Sequence, residues 1–194
     1  MLKVRLNLRQ VVAIAICLAG FSVINAQSVK EMYAELDAKS SIISTSGSWV
    51  KFTKVYDVPG KSKDWLYNKL ANEVMKRYTQ PPTTEWNDDR SVAIITANST
   101  SASKNPNRFK TYWYAKDRLT IEVKAEKVRV NFFLTDIVAD KGGGNINYYN
   151  PTDFYPNKKR KGGGLDEFYY DFQVFMNYFN AFENLLYGKM DTDW

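Results

Sequence analysis

The sequence predicts an α+β fold, a strand and a helix followed by an antiparallel sheet of four to five strands, with a long amphipathic helix at the C-terminal end. Three observations carry this reading. Residues 118–137 alternate apolar and polar side chains in two consecutive runs, the period-2 signature of antiparallel strands with one wet face. Tyr67, Leu70, Ala71, Val74 and Tyr78 recur at three- and four-residue steps, as on a helix with one buried side. Leu165, Phe168, Phe172, Phe175, Phe179, Phe182 and Leu186 repeat that spacing over about six further turns.

From the N-terminus, Lys3, Arg5 and Arg9 precede an apolar run at residues 11–24, and the small Ala26 follows. This is the form of a secretory signal peptide at residues 1–26, cut after Ala26. The run is short for a membrane span, so membrane association is expected only if the signal stays uncleaved. The bulky Ile16 before Cys17 argues against a lipid anchor there. Cleavage removes Cys17, the sole cysteine, together with three basic residues, so 26 of 194 residues leave, 168 remain and formal charge falls from +6 to +3. Such a chain has no disulfide or thiolate and must be held by one packed core. Residues 27–48 hold a short helix around 29–36 and then a serine-rich stretch that reads as a lead-in or tether.

Trp49 to Val58 alternates as a strand, Pro59-Gly60 turns the chain, and Ser62 can cap a helix whose first turn carries Asp64. Gln80-Pro81-Pro82 ends that helix, because proline lacks the amide proton. Further strands are expected at 91–97, 109–116, 118–125 and 127–137, with tight turns at Lys116-Asp117 and Ala125-Glu126 and a polar loop at 98–107.

The segment from Lys51 to Val58 leading into Gly60, the run Ser62-Lys63-Asp64-Trp65-Leu66-Tyr67, and the later Leu134-Thr135-Asp136-Ile137 resemble the domain of unknown function 4468 family (DUF4468) of secreted proteins of Bacteroidota. Members of that family have a fold similar to the TATA-box-binding protein, so the resemblance implies a TBP-like domain at residues 49–139, about half the chain. It implies no known activity, and likeness to a DNA-binding fold carries no function by itself. Members often have an Asp-Gly or Asn-Gly hairpin where this chain has Ala125-Glu126. That pair does not favour the positive φ such turns use, so the resemblance leaves the register there open.

Residues 140–164 read as an irregular glycine-rich and basic loop. Neither Gly142-Gly143-Gly144 nor Gly162-Gly163-Gly164 is followed by Lys-Ser or Lys-Thr, so no phosphate-cradling loop is expected. Lys158, Lys159, Arg160 and Lys161 read as a solvated loop or, with Tyr148, Tyr149 and Tyr155 beside them, as an anion site. The helix and tail at residues 165–194 are expected to cover the apolar face of the sheet, with docking onto a partner as the alternative.

The chain contains no histidine, which excludes ordinary serine and cysteine triads and histidine-based zinc sites. The carboxylate pairs are Asp88 with Asp89, Asp166 with Glu167, and Asp191 with Asp193, which read as solubilising charge. The expected function is therefore a non-catalytic exported module of the envelope, periplasmic or outer-envelope associated, without cofactor or metal. It would recognise an envelope protein or glycan through aromatic residues, for which Trp86, Tyr112, Trp113, Tyr114, Tyr148, Tyr149 and Tyr155 are the candidates. Tyr112 and Trp113 must point to opposite faces of a strand, so only one alternating set can be exposed; Tyr148, Tyr149 and Tyr155 are favoured as loop residues. One alternative is an anionic-polymer binder acting through Lys158 to Lys161, for lipopolysaccharide phosphate in preference to nucleic acid. The other is a hydrolase built on two carboxylates facing across a cleft.

Overall fold

A computed structural model of the chain describes residues 28–77, 82–86, 92–100 and 111–188. The leader, Cys17, Tyr78, Pro81, Asp88, Asp89, Asp191 and Asp193 lie outside the described residues. Among the described residues, those from Ser28 to Ala38 belong to one unit and those from Lys39 onward to a second. Within the first lies α1 (Val29–Ala38), opened by a reciprocal capping box. The Glu31 carboxylate accepts from the Ser28 amide at 2.7 Å, and the Ser28 hydroxyl accepts from the Glu31 amide at 3.3 Å, satisfying two otherwise orphaned donors.

The second unit comprises β1 (Ile43–Ser46), β2 (Trp49–Asp57), α2 (Lys63–Arg77), β3 (Thr83–Trp86), β4 (Ala93–Thr100), β5 (Tyr112–Lys124), β6 (Lys127–Asp140), β7 (Ile146–Tyr149) and α3 (Gly163–Tyr187). The strands form one antiparallel sheet in the order β1-β2-β6-β5-β4-β3, with β7 paired to the C-terminal part of β6. Seven strands stand where four to five were expected. β1 comes out of the stretch read as a tether, and β7 out of the loop read as irregular. β3 was not anticipated, and β4 extends into residues expected to be loop. These added strands are only four residues long in three cases, too short for any periodicity to register.

The expected hairpin at Lys116-Asp117 does not exist, because β5 runs unbroken through both residues beside β6. The Ala125-Glu126 hairpin does form, in regular register with Lys124 opposite Lys127. Glu126 takes the positive φ of 61°, and the neighbouring turn supports it. The Val58 amide donates to the Glu126 carbonyl at 2.8 Å, the Glu126 amide to the Lys61 carbonyl at 3.0 Å, and the Gly60 amide to the Glu126 carboxylate at 2.9 Å. Tertiary hydrogen bonds thus replace the glycine that the turn lacks.

α2 and α3 lie on the same face of the sheet, α2 over β4 and β5, α3 over β5, β6 and β2. Ser62 caps α2 as its sequence position implies, its hydroxyl accepting from the Trp65 amide at 3.2 Å. Leu66, Leu70 and Val74 are the residues α2 buries. All seven apolar residues of the α3 stripe are buried, so this helix covers the sheet. Its aromatic rings meet those of the strands: Phe132 of β6 stacks on Phe175 at 4.6 Å and meets Phe179 at 5.3 Å, and Phe52 of β2 meets Phe175 at 5.3 Å and Phe172 at 6.0 Å. The buried Tyr56 hydroxyl donates to the Phe179 carbonyl at 2.8 Å, and Lys54 pairs with Glu183. Among the described residues no helix is long and apolar enough to cross a membrane.

Phe175→Ala is expected to cost ~3–5 kcal/mol, as truncation of a packed core phenylalanine does, whereas Tyr170→Ala on the exposed side of the same helix should stay within ~0.5 kcal/mol. Urea unfolding of the two variants checks both. At the start of α3 a Cβ on Gly164 would come 2.6 Å from the Phe154 ring and 2.8 Å from Trp113. Gly164→Ala should therefore destabilise by ~1–3 kcal/mol through overpacking, with a change in tryptophan emission recording the displaced Trp113.

Candidate functional site

A β-bulge decides which side chains the sheet presents. Leu134 pairs with Asp117 and Asp136 with Lys116, so Thr135 has no residue opposite it on β5. Its hydroxyl donates to the Lys116 carbonyl at 3.1 Å, restoring a bond where the ladder is interrupted. The extra residue shifts the alternation by one. Beyond it Ile137 and Ala139 return to the helix-covered face, and Val138 turns to the opposite one.

On that opposite face, Tyr114, Val138 and Tyr148 stand in one row across β5, β6 and β7, and Tyr112, Asp140 and Ile146 in the next. Tyr112 is 48% exposed and Tyr148 58%, with Ile146 also exposed and Val138 buried beneath them. Lys116 places its ammonium 5.0 Å from the centre of the Tyr148 ring. Exposed aromatic rings on paired strands, over an apolar floor, form a rigid surface of the kind that contributes most of the energy at binding sites.

The other residues anticipated as contacts are used differently. Tyr149 alternates with Tyr148 onto the helix-covered face, where it stacks on Trp113 at 5.6 Å and lies beneath the Arg160 guanidinium at 4.6 Å. Tyr155, only 5% exposed, packs against Phe168; it is core and not a loop contact, because a short 3-10 turn at Pro151–Asp153 brings it inward. The basic run is divided as well. Arg160 reaches the Asp153 carboxylate at 3.4 Å, and the Lys159 and Arg160 amides both donate to the Asp153 carbonyl. The Lys158 ammonium sits 5.8 Å from the Tyr155 ring, while Lys159 and Lys161 stay exposed. At the far edge of the sheet Trp86 leans on Tyr67 beneath Lys63. The structure brings together Tyr112, Tyr114 and Tyr148, and separates Tyr149, Tyr155 and the basic loop from them.

A second feature went unseen in the sequence. Ser99, Asp117, Tyr170, Asp171, Val174, Phe175 and Tyr178 line a cleft of about 150 Å³ between the sheet and α3. Asp117 is 6% exposed and Asp171 2%. The sequence pattern puts Asp117 in a turn and Asp171 on a polar helix face; the fold places both in the lining of one cleft. Of the adjacent acidic pairs, Asp166 is exposed and Glu167 buried, so they do not act as a unit. Among the described residues there is no cluster of three metal-ligating side chains.

Burial pushes the Asp117 carboxyl above the ordinary carboxylate range, while the hydrogen bond it accepts from Ser99 at 2.6 Å pulls the other way. A carboxyl whose folded pKa is raised binds its proton more tightly when folded, so its stabilising contribution is present in acid and lost as pH rises through that pKa. Asp117→Asn does not titrate. Its stability relative to the unmodified protein should therefore increase between pH 4 and pH 7, read from urea midpoints; a gap independent of pH would contradict the burial of this carboxyl.

No family model matches the sequence, and no curated protein does. Two solved structures are similar. A TBP-like protein from Parabacteroides distasonis is 13% identical, aligned over 73% of this chain and 97% of its own, with a TM-score of 0.49. A DUF4468 family protein from Bacteroides ovatus is 16% identical, aligned over 78% of this chain and 93% of its own, with a TM-score of 0.51. At 16% identity the likeness to the Bacteroides protein shows a shared fold alone, α+β with an antiparallel sheet and a C-terminal helix.

Proposed function

We propose that the protein is an exported, non-catalytic binding module of the bacterial envelope, a member of the DUF4468 family, and that it recognises its ligand through the sheet face bearing Tyr112, Tyr114 and Tyr148. The observation that supports this reading is the exposure of Tyr112 on β5 and Tyr148 on β7, diagonal to one another across β6, where a bulge turns Val138 outward as an apolar floor between them. Two tyrosines held by strand pairing lose little conformational freedom on contact, so their apolar area is available for affinity. Export after cleavage near Ala26 and a periplasmic or outer-envelope location follow from the leader in the sequence. The ligand class is an envelope protein or glycan. Photo-crosslinking in intact cells, with the probe placed in turn at Tyr148, Tyr155 and Lys159, tests the surface. Adducts are expected at Tyr148 and not at Tyr155. Adducts confined to Lys159 and abolished by salt would instead favour an anionic polymer bound by the basic loop.

A second reading rests on the cleft between β5 and α3. A carboxyl held toward its protonated form in a cleft that a second buried carboxyl also lines is an arrangement that acid–base hydrolysis can use, so Asp117 and Asp171 are the residues on which a hydrolase would depend. Turnover of any glycoside that disappears in both Asp117→Asn and Asp171→Asn would establish it, and turnover surviving either change would dismiss it.

A further inference from the structure

We infer that the Tyr112–Tyr148 face takes a short neutral glycan, one to three sugar units long. The inference rests on the sheet-face reading above and narrows its ligand class.

Size is the first argument. The face spans three strands, roughly 10 Å at ~4.8 Å per gap, and from Tyr112 to Tyr114 it extends about 7 Å along them. Even with the rings splayed outward this is a few hundred Å² at most, well under the ~800 Å² per partner of a stable protein–protein interface. A folded protein partner would leave most of its own footprint over other residues. One to three pyranose rings fit the dimensions of the two rows.

Backbone availability is the second argument. An extended peptide gains affinity by adding a strand to a free sheet edge, where unpaired amides and carbonyls lie. Here β6, the central strand of the face, is paired on both sides, to β5 and to β7, so a ligand lying across the rows meets rings and side chains; a peptide added along the outer side of β7, which pairs with β6 alone among the described strands, would lie beside the rings and not across them. A sugar needs no ladder. Its apolar ring face lies on an aromatic ring and its hydroxyls point outward to polar side chains.

Charge is the third. Lys116 stands beside Tyr148 and pairs across the strands with Asp136, while Asp140 sits between Tyr112 and Ile146. One ammonium against two carboxylates in and beside the two rows gives no positive field to hold a polyanion, but supplies donors and acceptors suited to hydroxyl groups. Asp140 is already oriented by the Gly142 amide, which donates to one of its oxygens at 2.7 Å.

The test is an NMR titration of the full chain carrying fluorotyrosine, with neutral trisaccharides of glucose, mannose and N-acetylglucosamine as probes. At least one trisaccharide should shift the Tyr112 and Tyr148 signals while leaving Tyr155 unmoved. Tyr148→Ala and Tyr112→Ala should each weaken that binding about tenfold or more, and Tyr148→Phe, which keeps the ring, should stay within about threefold. Circular dichroism checks that the variants remain folded. Absence of binding to all three sugars, or binding that persists in both alanine variants, overturns the glycan assignment. Protein adducts at Tyr148 in cells without any sugar response would overturn it while leaving the binding face in place; no adduct and no sugar response would end both.

Discussion

The seam of phenylalanine rings between the sheet and α3 is the interaction on which the rest of this structure depends. Phe52 and Phe132 come from adjacent strands in direct register, and Phe168, Phe172, Phe175 and Phe179 descend onto them from one helix. Each tilted or stacked pair contributes ~0.5–1.5 kcal/mol beyond the area it buries. For a chain with a single cysteine and hence no internal disulfide, this seam supplies what small domains otherwise obtain from covalent staples. It also fixes the position of α3, and therefore the cleft beside it and the glycines at its start that fit against Trp113 and Phe154.

The same constraint sorts the tyrosines. A strand offers alternate residues to its two faces, and the helix-covered face is filled by the seam, so every second aromatic of β5 and β7 must go the other way. Trp113 and Tyr149 are taken into the packing, and Tyr112, Tyr114 and Tyr148 are excluded from it. The bulge at Thr135 makes this sorting consistent across three strands. Without the extra residue Val138 would face α3 and the row under Tyr148 would lose its floor. Bulges often re-aim side chains near functional surfaces, and this one links the packing of the core to the composition of the opposite face.

Long periodic elements were legible in the sequence. The spacing from Leu165 to Leu186 and the alternation in β6 each carry enough repeats to exclude the other period, and Ser62 marked its helix start by chemistry alone. Short strands were not legible: Thr83–Trp86 and Ile146–Tyr149 span only two alternations and become strands by pairing with a neighbour already in place. Lys116-Asp117 resembled a turn because two polar residues interrupt an apolar run, yet Asp117 is buried with Ser99 as its partner. Tyr155 was misread for a related reason, since a composition rich in glycine and lysine marked its segment as loop without showing that a turn folds it inward. The exposed tyrosine face was half legible. Alternation required that Tyr112 and Trp113 part, but which of the two faced outward depended on the helix that covers the sheet, and Asp171 came to line one cleft with Asp117 only through that same packing.

The most direct test of this account is nitration of the native full chain by tetranitromethane, with the order of modification followed by mass spectrometry. Tyr112 and Tyr148 are predicted to react early and Tyr56 and Tyr155 to stay protected until the protein unfolds. Modification of Tyr155 as fast as Tyr148, or protection of Tyr112 together with exposure of Tyr149, would contradict the assignment of faces on which the fold and the proposed binding surface both rest.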